Sequence, residues 1–112
     1  MHAATVAAFW FACAVVATLS LLPVDELPSI ALNLWDKAQH AGGFFLLGAL
    51  GALAYPHRPV RVFIGLLLFG ALIELAQTAS GWRTGDLLDW LADALGLALA
   101  ALAKALNPSP RR

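Results

Sequence analysis

Residues 60–79 read VRVFIGLLLFGALIELAQTA, an apolar run interrupted only by Arg61 near its start and by Glu74 and Gln77 further in. At about 1.5 Å per residue, twenty residues make a helix of roughly 30 Å, the thickness of a bilayer's hydrocarbon core. An acid inside such a run faces a bundle interior or a wet cavity rather than lipid. The stretch therefore predicts both a membrane crossing and partner helices.

Three more apolar stretches supply those partners, at residues 3–22, 38–55 and 87–106. Pro23 and Pro28 close the first, Pro56 and Pro59 separate the second from the third, and Ser80-Gly81 opens the gap before the fourth; these residues interrupt helices for steric reasons. Residues 3–22 lack a basic start and exceed the usual apolar length of a signal peptide, so they read as a retained helix. The predicted fold is all-α: one domain over residues 1–112, a polytopic membrane protein built as a four-transmembrane-helix bundle.

Composition agrees. The 112 residues are 61% hydrophobic and 12% charged, against roughly 45–50% and about 25% in soluble domains. A formal net charge of zero argues against a nucleic-acid partner bound through phosphate neutralisation. The lone Cys13 cannot form an intrachain disulfide and reads as a small buried hydrophobe.

Basic residues near helix ends stay on the cytoplasmic side. With four crossings, Arg58, Arg61, Lys104, Arg111 and Arg112 share one face, and Lys37 and Arg83 the other. This predicts a multi-pass protein of the bacterial cytoplasmic (inner) membrane with both termini cytoplasmic. Every acid then lies toward the outer side: Asp25, Glu26, Asp36, Glu74, Asp86, Asp89 and Asp93.

Helical spacing sorts the polar residues into faces. Asp36 and His40 are four apart, with Lys37 beside them; Glu74 and Gln77 are three apart and share a face with Gly70; Asp86, Asp89 and Asp93 form a stripe continued by Gly96 and Ala100. All these faces fall at outer helix ends, which predicts a single outward-facing polar pocket. Arg83, between Glu74 and Asp89, is placed to pair with either through its planar fork. The expected ligand-binding set is Asp36, Lys37, His40, Glu74, Gln77, Arg83, Asp89 and Asp93.

Within that set Glu74, Asp89 and His40 are the candidates for acid–base chemistry. Each also has a structural reading: Glu74 as an acid satisfied by Arg83, His40 as an interfacial group, Asp89 as a helix cap. Asp36, His40, Glu74 and Asp89 are metal-ligand types, but their spacing is no recognised metal motif, so neither a metal nor a cofactor is expected. Trp35, Trp82 and Trp90 read as interfacial anchors, and Gly42, Gly43, Gly48 and Gly51 as sites of close helix packing.

Taken in order, Asp36-Lys37-Ala38-Gln39-His40, Phe44, Leu47-Gly48, Glu74-Leu75-Ala76-Gln77, Arg83, Asp89-Trp90-Leu91-Ala92-Asp93 and Gly96 resemble the VanZ-like family. These are small bacterial integral membrane proteins named for a member linked to teicoplanin resistance. The resemblance covers residues 36–96 and departs at Asp93, where the family pattern has asparagine. It implies a cell-envelope role connected with antibiotic susceptibility, and no particular reaction.

Three functions fit the residues. One is a binding protein of the envelope whose partners, besides the bilayer, are a lipid-linked cell-wall component or a lipoglycopeptide. Another is a membrane enzyme acting on a lipid-linked headgroup by carboxylate acid–base catalysis, although no nucleophile motif is present. The third is proton-coupled transport with Glu74 and His40 as relay groups, either as a homo-oligomer or as a subunit of a larger carrier, since four short helices do not make a complete carrier.

Overall fold

The computed structural model describes residues 2–21, 29–81 and 87–107, and of residues 29–36 the backbone alone. Four helices follow one another: α1 (His2–Leu21), α2 (Ser29–Ala54), α3 (Pro59–Ser80) and α4 (Leu87–Leu106). The described residues contain no strand. The fold is all-α, and α1 and α3 are long and apolar enough to cross a membrane, each with a mean hydropathy of 2.0.

Three helices lie where the apolar runs place them, and α2 does not: it starts at Ser29 rather than near residue 38. The charged pair Asp36-Lys37 comes just before the apolar run at 38–55. Charge does not break a helix, and the preceding Ile30-Ala31-Leu32 favours one. Lys37 is satisfied within the fold, with its Nζ 3.3 Å from Asp89 Oδ1. His40 therefore sits about 16 Å along α2 at the usual rise per residue, rather than just inside its end.

The turn between α2 and α3 follows from its prolines. Arg58 N donates to Tyr55 O at 3.1 Å, and Pro59, whose missing N–H costs nothing there, opens α3. At the other end Gly81 takes the left-handed conformation, φ 85°, that terminates a helix most readily without a Cβ.

Residue pairs give the topology. Lys37 meets Asp89, His40 meets Asp93, and Gly48 meets Leu97 and Ala100, so α2 and α4 run parallel. α3 runs against both, with Glu74 near His40 and Val62 near Gly51. α1 is antiparallel to α2: Phe9 lies by Gly51, and Val16 by Gly43.

The pairing of α2 with α4 is the most extensive and depends on Gly96. A Cβ there would strike the Ala41 carbonyl oxygen and come within 2.9 Å of Phe45 N, both backbone atoms of α2. Gly48 and Gly51 also permit close contact, whereas a Cβ at Gly42 would meet nothing within 4 Å. Gly96→Ala should force the helices apart and destabilise the protein by about 1–3 kcal/mol, the cost of overpacking, even though alanine is the better helix former by about 1 kcal/mol. Denaturant titration in detergent tests this; an unchanged midpoint would mean the two backbones do not meet at Gly96.

Apolar packing occupies the interior away from the polar residues. Phe9, Cys13, Phe44, Leu47, Leu66, Ile73 and Leu97 are buried together, which agrees with the reading of Cys13 as a small hydrophobe. Trp10 Nε1 donates to Tyr55 Oη at 2.9 Å and ties the first half of α1 to the end of α2. The surface is apolar too: Phe11, Leu68, Leu75, Leu87, Leu95 and Leu102 are exposed.

Candidate functional site

Against that apolar exterior, the buried polar residues are His40 on α2, Glu74 and Gln77 on α3, and Asp89 and Asp93 on α4. The helical period puts Glu74 and Gln77 on one face and Asp89 and Asp93 on one face. Packing then turns Glu74, Asp89 and Asp93 toward α2. Gly70 makes the space: a Cβ on it would lie 2.6 Å from Asp93 Oδ2.

His40 is the centre of the group. Its Nδ1 lies 2.6 Å from Asp93 Oδ1, and both residues are buried. A hydrogen bond this short is of the charge-assisted kind. It fixes the ring, and with the Asp93 carboxylate as acceptor Nδ1 carries the proton and the lone pair of the neutral imidazole falls on Nε2. Nε2 faces Asp89, with Oδ2 at 3.9 Å, while Glu74 Oε1 is 3.7 Å from Nδ1. Asp89 Oδ1 in turn receives the hydrogen bond from Lys37.

Folding thus gathers Lys37, His40, Glu74, Asp89 and Asp93 from the expected set. Asp89 is in the first turn of α4, where a carboxylate suits the helix dipole, but its burial and its pairing with Lys37 make it more than a surface cap. Gln77 points elsewhere: its Nε2 donates to Ser20 O on α1 at 2.7 Å, so it secures the end of α1. The side chain of Asp36 and all of Arg83 lie outside the described residues, as do the side chains of Trp35, Trp82 and Asp86 and the residues Asp25 and Glu26.

Trp90, expected to be an interfacial anchor, has a partner inside the fold. Its Nε1 donates to Leu67 O at 2.9 Å, joining α4 to α3. Sequence spacing carries no signal for that bond, since an indole anchored at an interface and one bonded to a neighbouring backbone have the same periodicity. The α1 contribution through Ser20 is equally invisible, because a backbone carbonyl has no side-chain signature.

A hollow of about 220 Å³ between α1 and α2 reaches the group, lined by Val16, Leu19, Ser20, Gln39, His40 and Gly43 among others. His40 belongs to both the buried cluster and the wall of this hollow. A small polar group could therefore approach the cluster along the α1 side. Chemically the set combines an imidazole with an oriented lone pair, carboxylates that accept protons or hydrogen bonds, and one ammonium. No family model, no curated protein and no solved structure matches the chain.

Proposed function

We propose that this chain is a VanZ-like integral membrane protein whose four helices cross the bacterial cytoplasmic membrane with both termini inside. Its buried cluster takes a polar group from the outer leaflet, on a lipid-linked cell-wall component or a lipoglycopeptide, and so alters antibiotic susceptibility. The observation that carries this reading is the inverted distribution of side chains. Imidazole and carboxylates are buried while leucine and phenylalanine are exposed.

Lipid resolves that inversion, because exposed apolar side chains then face hydrocarbon instead of water, and ionisable groups turn to the interior. Only 11% of the apolar window of α1 and 22% of that of α3 are buried inside the protein, which does not suit core helices of a water-soluble fold. The order Asp-Lys-x-x-His, Glu-x-x-Gln, Asp-x-x-x-Asp supports the family, and the convergence of Lys37, His40, Glu74, Asp89 and Asp93 supports a shared site.

The Asp93–His40 pair favours a second reading, hydrolysis or transfer at a lipid-linked headgroup. A carboxylate holding Nδ1–H leaves Nε2 ready to accept a proton, and Glu74 or Asp89 can return one. Lipid and cell-wall precursor profiles of cells with and without the protein, measured with antibiotic susceptibility, separate the two. Changed susceptibility with an unchanged profile is expected for binding, and an accumulating precursor for the enzyme. If neither quantity changed, the envelope role would be wrong.

A further inference from the structure

We propose that His40, Glu74 and Asp89 bind one divalent transition-metal ion, with Asp93 as the residue that positions the histidine. One ligand atom from each of the three lies within 4.8 Å of the others, and all three residues are buried. They come from three different helices, so this closeness is a product of the fold and not of one helix surface. The sequence spacing showed no metal motif because metal motifs record ligands that are near in the chain.

Three features besides proximity support a metal. The first is the gap between His40 Nε2 and Asp89 Oδ2, 3.9 Å, which is too long for a hydrogen bond. Two ligands bound tetrahedrally to a common ion at about 2.0–2.2 Å each stand about 3.3–3.6 Å apart, so these two atoms need close by only a few tenths of an ångström to share one. Glu74 adds the third ligand atom, within 4.8 Å of the other two.

The second is the Asp93–His40 hydrogen bond at 2.6 Å. A metal-bound histidine nearly always donates its other ring N–H to a carboxylate or carbonyl, which fixes the tautomer and aims the lone pair at the ion. Here Nδ1 is held and Nε2 is presented. Asparagine at 93 can accept this bond through its amide oxygen, but a carboxylate accepts it more strongly, so the acid in this position holds a metal-bound histidine more firmly.

The third is access, which the hollow beside His40 provides.

One imidazole with two carboxylates suits Zn²⁺, Mn²⁺ or Fe²⁺ better than Ca²⁺ or Mg²⁺, which favour all-oxygen sites, or Cu⁺, which favours sulfur. Three protein ligands leave a position open, and an oxygen from a phosphate or from water would complete the sphere. The metal site stands on the cluster alone. Only the nature of that fourth ligand rests on the envelope reading.

The test uses the full chain in detergent, purified without a histidine tag, stripped with chelator and dialysed against Zn²⁺. About one zinc per chain is expected by elemental analysis, with affinity at least tenfold weaker in Glu74→Gln and in Asp89→Asn, and about 10–100-fold weaker in Asp93→Asn. His57→Ala, at an exposed residue of the α2–α3 turn, should bind like the parent. Circular dichroism and elution volume establish that each variant is folded. Zinc at less than one ion per ten chains, or equal affinity in folded Glu74→Gln and Asp89→Asn, would overturn the site. Zinc binding with no envelope phenotype would keep the metal and remove the headgroup reading, and a phenotype without zinc binding would do the reverse.

Discussion

His40→Leu is expected to destabilise the metal-free protein by about 2–3 kcal/mol, the cost of taking away the hydrogen-bond donor of a buried carboxylate. Asp93 is fully buried, and its Oδ1 contacts His40 Nδ1. Without the imidazole its carboxylate is left desolvated near Glu74 and Asp89. Leucine fills a similar volume, so the loss reports electrostatics more than a cavity. The double substitution His40→Leu with Asp93→Leu should be milder than the single one, because replacing both partners by apolar groups removes the uncompensated charge as well. Denaturant titration in mixed micelles measures both. A single variant within about 1 kcal/mol of the parent, or a double variant weaker than the single, would show that the pair does not hold the cluster together.

Glu74→Gln has the opposite character, a loss of function without loss of stability. Glutamine keeps the size of the side chain, and the change removes one negative charge from a group in which Glu74, Asp89 and Asp93 are all buried. Stability should stay level or rise by up to about 1 kcal/mol, since a buried carboxylate costs more than an amide that can both donate and accept. Function should fall to the level of cells lacking the protein, because the proton acceptor or ligand oxygen is gone. Susceptibility or precursor profiles at matched abundance, together with denaturant titration, decide the matter. Full function in the glutamine variant would remove Glu74 from the chemistry and leave it as a packing residue, while a collapse in abundance would make it structural.

These contrasting effects arise from one arrangement, in which polar groups with a cost in folding are collected where apolar ones would pack more stably. Stability is commonly sacrificed in this way at functional sites. The other polar contacts look structural by the same comparison. Gln77 bonds to the Ser20 carbonyl and Trp90 to the Leu67 carbonyl, each tying one helix to another.

Much of the fold is legible in the chain. Long apolar runs need a partner for every backbone group, helices provide it internally, and prolines and Gly81 mark the ends, so α1, α3 and α4 lie where the runs lie. The candidate site is legible in composition for a related reason: an acid or histidine inside an apolar helix has few explanations other than a buried contact or a function. Residue type and helical period suffice to select His40, Glu74, Asp89 and Asp93 without any coordinates.

Tertiary structure decided the rest. Whether α2 begins after Asp36-Lys37 or already includes them depends on a partner for Lys37, and that partner is Asp89 on another helix. Which face of α4 meets α2 depends on Gly96, since close approach of two backbones needs a missing Cβ on one side and a particular crossing on the other. The 2.6 Å bond from His40 to Asp93, and the gap beside Nε2, depend on both. Periodicity assigns a residue to a face of its own helix, about one hundred degrees of turn at a time; only packing fixes the rotation and depth of one helix against another, and those two quantities determine which polar atoms meet.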